Sequence, residues 1–357
     1  MKTGELIERW VKPGVRQLHP YHVPSRPDLV KLDAMESPFT LSSQMQNEWS
    51  DILKTVEVNR YPDAGSQELK SSLREKLNIP GSCEILLGNG SDELIQLIAI
   101  LLGGAGKTIM APMPSFSMYQ QICIATGTNF YGINLNKNFS LDREQTISAI
   151  RKHQPACIFL AYPNNPTGNC FASETISQIL DEAPGLVILD EAYFEFCGKS
   201  YIDEIIKYPN LIVLRTLSKS GFAGLRLGLM IANADWINEF EKIRLPYNIN
   251  CLTQASANFF LGHFEIFRAQ SKQICENRSA LLRQLDALAE IKPYPSETNF
   301  ILCRTKMDGN QAFASLKANG VLVRNLHSMG ASLENCIRVT VSTEQENNKF
   351  IQAVKNL

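Results

Sequence analysis

The sequence predicts an α/β protein: a large domain with a mostly parallel seven-stranded sheet, followed by a smaller α+β domain. Seven short apolar runs alternate with helical segments between residues 84 and 231, a pattern typical of strands joined by helical crossovers. After Tyr247 the pattern changes to one long helical stretch and a few short strands. The length of 357 residues also exceeds what one ordinary hydrophobic core holds.

The N-terminal segments precede the predicted sheet. Residues 1–31 are rich in Pro, His and Arg and are predicted to form an extended arm. Helices are predicted over residues 48–56 and 67–77, and the second is ended by Pro80 and Gly81.

The large sheet is predicted from apolar runs that lack strict alternation, because such runs suit strands covered on both faces. The last run follows Lys219 after a short connection and is predicted to be the antiparallel strand. The predicted strands are residues 84–87, 108–111, 128–135, 156–161, 186–189, 211–214 and 227–231. Helices are predicted between them at residues 91–102, 115–125, 142–152 and 173–182.

The C-terminal part is predicted to be a separate, smaller α+β domain. Its elements are a helical stretch over 254–288 with a break near Gly262 and His263, strands over 299–303, 321–324 and 336–341, and helices over 310–319 and 343–357. We expect an N-terminal arm over residues 1–35 that packs with the small domain or a partner subunit, a large domain over 36–248 and a small domain over 249–357.

Composition excludes several classes of function. The formal net charge is -1 and basic residues are spread along the chain, which disfavours nucleic acid as a partner. The nine cysteines form no C-x-x-C pair, so reduced thiols of a cytoplasmic protein are expected rather than disulfides or a metal site. Residues 1–10 carry Glu5 and Glu8, unlike a signal peptide, and Gln96 interrupts the longest apolar stretch, so no membrane span is expected.

Four polar clusters follow predicted strands directly. They are GNGSDE at residues 88–93, YPNNPTG at 162–168, DEAY at 190–193, and TLSK at 216–219 with Arg226 shortly after. In an open parallel sheet, ligands bind outside the carboxyl ends of the strands. We therefore expect the four clusters to gather at one edge and form a single site.

Each cluster residue taken alone also has an ordinary structural interpretation. Ser91 and Asp92 are preferred helix-capping residues, Asp190 suits a turn, and Phe116 suits a hydrophobic core. A lone lysine such as Lys219 is usually a solvated surface residue. The sequence lacks G-x-x-x-x-G-K-[ST], which argues against an ATP-type site.

The four clusters, in this order, resemble those of fold-type I pyridoxal-phosphate (PLP) enzymes. The resemblance runs from Tyr21 to Arg338 and is strongest to the histidinol-phosphate aminotransferase branch of the aspartate-aminotransferase family. It implies that Lys219 holds the cofactor as a Schiff base and then carries the proton at the substrate Cα. The spacing between Lys219 and Arg226 is one residue shorter than in many members.

The resemblance also implies the residues that hold the cofactor. The loop carrying Ser91 and Asp92 would bind its phosphate at a helix N-terminus, together with Ser218 and Arg226. The remaining implied roles are Asp190 on the ring nitrogen, Tyr193 and Asn165 on the ring hydroxyl oxygen, and Phe116 stacked on the ring.

Further implied residues concern the partner subunit and the substrate. Tyr61 resembles a tyrosine that reaches the cofactor phosphate of the neighbouring subunit, which implies a homodimer with shared sites. Arg338 lies mid-strand between apolar neighbours, where a buried arginine needs an anionic partner, and resembles the arginine that binds a substrate carboxylate. Arg324 resembles the companion for a distal anion, and Tyr21 an arm residue that closes over it. A structural ion pair is the alternative for both arginines.

The resemblance implies transfer of an amino group between L-histidinol phosphate and 2-oxoglutarate, a step of histidine biosynthesis. Three alternatives remain open on the sequence: a decarboxylase of threonine O-phosphate, an aromatic or broad-specificity aminotransferase, and a PLP-binding protein without turnover. All three share the cofactor and the lysine. They differ in what the distal pocket accepts or in whether turnover occurs.

Overall fold

The computed structural model describes residues 2–20 and 28–357. The N-terminal elements are α1 (Thr3–Trp10), α2 (Pro13–Arg16), β1 (Val30–Lys31), α3 (Ser43–Leu53) and α4 (Gln67–Lys76). The predicted extended arm is therefore wrong for residues 3–16, which form two helices. Helix α1 carries Leu6 and Trp10 one turn apart on an exposed apolar face, and α2 begins with proline at its first position.

A seven-stranded sheet forms the centre of the large domain, as predicted. Its strands are β2 (Glu84–Asn89), β3 (Thr108–Met113), β4 (Asn129–Asn134), β5 (Cys157–Ala161), β6 (Leu186–Asp190), β7 (Leu211–Thr216) and β8 (Leu227–Ala232). They run in the order β2-β8-β7-β6-β5-β3-β4. Strand β8 is antiparallel to both of its neighbours and the other pairs are parallel, so the predicted antiparallel strand is confirmed.

Helices cover both faces of this sheet. They are α5 (Ser91–Leu102), α6 (Met118–Thr126), α7 (Arg143–His153), α8 (Ser173–Glu182), the short α9 (Phe194–Cys197) and α10 (Ala234–Glu241), of which α9 and α10 were not predicted. On β5, Ile158 and Leu160 join one hydrophobic cluster, whereas Cys157 and Phe159 join the cluster on the opposite face. This period of two in a fully buried strand explains why the apolar runs show no polar alternation.

The C-terminal part contains α11 (Cys251–Gly262), α12 (Phe264–Asp286), β9 (Ile291–Pro293), β10 (Phe300–Thr305), α13 (Gly309–Ala318), β11 (Val321–Leu322), β12 (Arg324–Asn325), β13 (Cys336–Thr340) and α14 (Glu344–Lys355). An antiparallel sheet has the order β12-β13-β10-β9. The single strand predicted over 321–324 is wrong: β11 pairs with β1, and β12 pairs with β13. The predicted helix break near Gly262 and His263 is confirmed.

The two hydrophobic cores meet along α12. Phe264 and Phe267, at its start, pack in the core of the large domain, as do residues of α11. Ile274 and Leu281, farther along α12, pack in the core of the small domain. The change in packing therefore lies within α12, beyond the predicted boundary at residue 248. Among the described residues, no helix is long and apolar enough to cross a membrane.

Candidate active site

The four predicted clusters meet at the carboxyl ends of β5, β6 and β7 and beside the end of β2. One cavity is lined by nine of the predicted cofactor residues: Ser91, Asp92, Phe116, Asn165, Asp190, Tyr193, Ser218, Lys219 and Arg226. The same cavity is lined by Met35, which comes from the N-terminal part of the chain and was not predicted. The expected convergence of strand ends is thus present in the fold.

One end of the cavity is formed by the N-terminus of α5. Gly90 precedes this helix with φ +77°, and a Cβ there would lie 2.5 Å from Nη2 of Arg226, so only glycine leaves this space open. Arg226 donates from Nη1 to Oγ of Ser218 at 3.3 Å and lies 3.5 Å from the Asp92 carboxylate. Backbone N–H groups, a hydroxyl and a guanidinium thus converge on one spot suited to an anion.

The loop after β7 places Lys219 in the cavity. Oγ1 of Thr216 accepts a hydrogen bond from the Ser218 backbone N–H at 3.1 Å and donates to the carbonyl of Leu227 at 3.1 Å. The turn continues through Gly221, whose φ of +106° suits glycine. These bonds fix the start of the loop against β8 and so fix the base of the lysine side chain.

The amine of Lys219 is held away from bulk water. Nζ donates to the backbone carbonyl of Ala34 at 3.4 Å. Burial, followed by the positive charge of Arg338, lowers the pKa of Lys219 to about 8. At pH 7 about a tenth of such an amine is neutral, far more than for a lysine in water. The neutral form is the nucleophile.

The carboxylate of Asp190 lies buried at the end of β6. Its Oδ2 accepts a hydrogen bond from the hydroxyl of Tyr119 at 2.7 Å, and its Oδ1 accepts one from the Ala192 N–H at 3.2 Å. Burial outweighs the lowering effect of the hydrogen bond from Tyr119, and together they set the pKa of Asp190 at about 6, above its ordinary value. Tyr119 was not predicted as a site residue, although it lies three residues after Phe116 at the start of α6.

Asn165, Tyr193 and Arg338 form a linked group on the other side of the cavity. Nδ2 of Asn165 donates to the Tyr193 hydroxyl at 3.2 Å, and that hydroxyl lies 3.2 Å from Sδ of Met35. Nη1 of Arg338 donates to Oδ1 of Asn165 at 2.6 Å, and its Nη2 donates to the Asp33 carbonyl at 3.0 Å. The small domain is thereby tied to the cavity wall of the large domain.

A second cavity adjoins the first. Lys219, Phe116 and Asn165 line both of them, and the second is also lined by Arg324 and Arg338. These two arginines are directly opposite partners on the antiparallel strands β12 and β13, so they project from the same face of the small sheet. Two guanidinium groups beside a reactive amine suit a substrate that carries anionic groups.

The structure does not bring two of the predicted residues, Tyr61 and Tyr21, into the described site. Tyr61 is 80% exposed, stacks on Tyr247 with ring centroids 4.4 Å apart, and lines neither cavity. Tyr21 lies outside the described residues. Their predicted roles therefore stay predictions.

The chain is similar to known proteins along almost its whole length. Residues 27–354 match the family of class I and II aminotransferases. A histidinol-phosphate aminotransferase of Nitrosococcus oceani is 46% identical over 354 residues, which cover 99% of this chain and 98% of the relative. Other relatives with the same name are between 38 and 45% identical over 98 to 99% of this chain.

Two solved structures of histidinol-phosphate aminotransferases have the same fold as this chain. The histidinol-phosphate aminotransferase of Clostridium acetobutylicum matches with a TM-score of 0.84 at 26% identity, covering 92% of this chain and 98% of that one. The Sinorhizobium meliloti enzyme, solved in complex with pyridoxal-5′-phosphate, matches in fold with a TM-score of 0.86 at 23% identity over 97% of this chain and 98% of that one. The predicted fold and family are confirmed: the chain belongs to the class I and II aminotransferases and, within them, to the histidinol-phosphate aminotransferase family.

Proposed function

We propose that the chain is a PLP-dependent aminotransferase that moves an amino group between L-histidinol phosphate and 2-oxoglutarate in histidine biosynthesis. One observation carries the proposal: a nucleophilic amine, a buried carboxylate and an anion-binding helix end line one cavity, which opens onto two arginines. The name of the full-length relatives supports the choice of substrate.

The residues of the first cavity fit pyridoxal phosphate. Lys219 has an amine that is partly neutral near pH 7 and can condense with an aldehyde. Asp190 is a buried carboxylate that suits a protonated ring nitrogen. Gly90 leaves open the space beside Arg226 that a Cβ would fill, so a phosphate can approach the helix end closely.

The bound cofactor supplies an aldehyde that condenses with amines and a ring that accepts the electron pair released at the substrate Cα. Lys219 would take the proton from that Cα on its Nζ and deliver it again, because the amine lies inside the cavity and is partly neutral. Asp190 would hold the proton on the ring nitrogen. Tyr193 and Asn165, already in contact with one another, would orient the ring oxygen, and Phe116 would cover one ring face.

The second cavity would bind the substrates. Arg338, which donates hydrogen bonds to Asn165 and the Asp33 carbonyl, would bind a carboxylate with its fork of N–H donors. Arg324, its partner in the sheet, would bind the distal anion, which is a phosphate in histidinol phosphate and a carboxylate in 2-oxoglutarate. Tyr21, from the predicted arm over residues 1–35, would close over the distal group.

We propose a homodimer with shared sites and a cytoplasmic location. Tyr61 and Tyr247, whose rings stack, are both exposed, and Val58, Leu245 and Leu252 are further exposed apolar side chains. Exposed apolar side chains of this size favour contact with a second copy. All nine cysteines are free thiols, which supports a reducing compartment.

The shared site is tested by mixing Tyr61→Ala chains with Lys219→Ala chains. Only the hybrid dimer would have a site in which the intact lysine of one chain meets the intact tyrosine of the other. Activity above that of either parent is expected; a mixture no better than its parents would contradict it.

The substrate is tested with purified protein loaded with PLP. Histidinol phosphate should convert the visible band of the cofactor, and 2-oxoglutarate should restore it with glutamate as product. Lys219→Ala should abolish both changes, whereas Lys207→Ala, on the surface away from the cavities, should leave them intact. Release of carbon dioxide from threonine O-phosphate without a keto acid would instead identify the decarboxylase. A greater rate with phenylalanine than with histidinol phosphate would identify the aromatic enzyme.

A further inference from the structure

We propose that Tyr119 is a positioning residue that holds the Asp190 carboxylate and the Phe116 ring in fixed relation to one another across the cofactor cavity. This inference rests on the proposed function, since it concerns how that cavity presents its groups to the cofactor. Tyr119 belongs to none of the four clusters, and its side chain lines neither cavity. Its hydroxyl and its ring each contact one of the two groups.

The hydroxyl contact fixes the carboxylate. Tyr119 and Asp190 are both almost fully buried, and their oxygens lie 2.7 Å apart. Burial, followed by the nearby Asp190 charge, raises the pKa of Tyr119 well above its ordinary value, so the phenol stays protonated and acts as the donor. The Ala192 N–H occupies the other carboxylate oxygen at 3.2 Å. With one donor on each oxygen, the plane of the carboxylate is determined.

The ring of Tyr119 orients the side chain of Phe116, which lines the cavity. The Tyr119 ring stacks on Phe159 of β5, with centroids 4.6 Å apart and an interplanar angle of 8°. It meets Phe116 edge to face, with centroids 5.6 Å apart at 86°. Phe159 is fully buried in the sheet, whereas Phe116 is only partly buried. Tyr119, which contacts both rings, therefore holds Phe116 in a fixed position relative to β5.

The Tyr119 hydroxyl also counteracts the effect of nearby negative charges on the pKa of Asp190. Glu191, the next residue, and Asp92 of α5 both raise the pKa of the carboxylate, in addition to burial. Tyr119 and the Ala192 N–H act in the opposite direction. A carboxylate that loses the phenol donor becomes more basic and draws the shared proton away from the ring nitrogen of a bound cofactor. The ring then withdraws electrons less strongly.

The first test is Tyr119→Phe, which removes one oxygen and keeps the ring contacts. In the PLP-loaded protein we expect kcat to fall about tenfold and the dissociation constant of PLP to rise by a similar factor of about ten. KM for histidinol phosphate should stay within about twofold, because the two arginines are untouched. The pH midpoint of the visible band of the bound cofactor should move upward by about half a unit or more. Tyr208→Phe, a buried tyrosine remote from both cavities, is the matched control.

A nearly isosteric variant keeps the test decisive even if the phenylalanine protein folds poorly. Difluorotyrosine at position 119 is a stronger donor of the same shape, so the midpoint should move downward, opposite to the phenylalanine variant. Tyr119 variants that match the unmodified protein in kcat, PLP affinity and midpoint would overturn the inference alone. If the unmodified protein itself takes up no PLP, or fails to transaminate histidinol phosphate, the proposed function is wrong and the inference falls with it.

Discussion

Gly228 offers a sharp test of the phosphate end of the site. It lies on β8 between two strands, opposite Gly88 of β2 and Thr216 of β7, which lead to the anion-binding loop and to the Lys219 loop. A Cβ added at Gly228 would lie 2.5 Å from the carbonyl carbon of Gly90 and 2.6 Å from the N atom of Ser91. Both are backbone atoms of the loop that begins α5, so no side-chain rotation can make room.

The expected magnitude follows from this overlap. An ordinary Cβ contact is 3.4 Å or longer, so the loop has to retreat by about 0.9 Å. Overpacking of this kind costs about 1–3 kcal/mol of folding free energy. A displacement of this size also lengthens the hydrogen bonds from the loop to a bound phosphate. Losing one charge-assisted hydrogen bond of about 1.5–3 kcal/mol weakens binding roughly 10- to 100-fold.

The assay is titration of the PLP-free Gly228→Ala protein with PLP, followed by fluorescence, alongside urea unfolding of the same protein. Gly262→Ala serves as control, because a Cβ there meets nothing within 4 Å at the end of α11. The control should bind PLP normally. A Gly228→Ala protein that binds PLP within about twofold of the unmodified chain would refute the placement of the phosphate at this helix end.

Lys219, Arg338 and Arg215 give three further predictions. PLP uptake by the cofactor-free protein should speed up as pH rises through about 8, the pKa of Lys219, because the neutral amine reacts; a rate independent of pH would count against this role. Arg338→Ala should raise KM for 2-oxoglutarate about 10- to 100-fold in steady-state assays, and an unchanged KM would point to a structural arginine. Arg215→Ala leaves the fully buried Glu191 without its ion pair and should lower the free energy of unfolding in urea by about 3–5 kcal/mol. Arg151→Ala, which breaks an exposed pair, should leave the unfolding midpoint nearly unchanged, and equal effects of the two changes would disprove the reasoning.

The segment formed by residues 33–35 links the two domains at the site. The carbonyl of Asp33 accepts from Arg338, the carbonyl of Ala34 accepts from Lys219, and Met35 contacts the Tyr193 hydroxyl. Met35 adopts a positive φ of 56°, a conformation that non-glycine residues seldom adopt. Movement of this short segment would therefore reach the lysine, an arginine and the tyrosine together.

The strands of the large sheet were predictable because their signal is local. Each is a run of apolar residues followed by polar ones. Strand β5 ends at Ala161, directly before the cluster at 162–168, and β6 ends at Asp190, the first residue of the cluster at 190–193. The sequence did not predict the two-residue strand β1, and it predicted β11 and β12 as one strand. Strands this short are defined by their partners and not by a period. Helices α1 and α2 were not predicted, because the Pro, His and Arg residues of segment 1–31 favour an extended chain, whereas Leu6 and Trp10 in α1 have the spacing of one helical turn.

The sequence by itself determined the alternation of strands and helices in the large sheet and the chemical identity of the groups at its edge, because the carboxyl ends of parallel strands lie at the same edge. Only the tertiary structure decided how those groups are held: Tyr119 on Asp190, the Asp33 and Ala34 carbonyls on Arg338 and Lys219, and the pairing of Arg324 with Arg338. These contacts join residues far apart in the chain, and they depend on burial and on hydrogen-bond geometry. A local pattern of residues carries neither, because both arise when distant segments exclude water from the same small space.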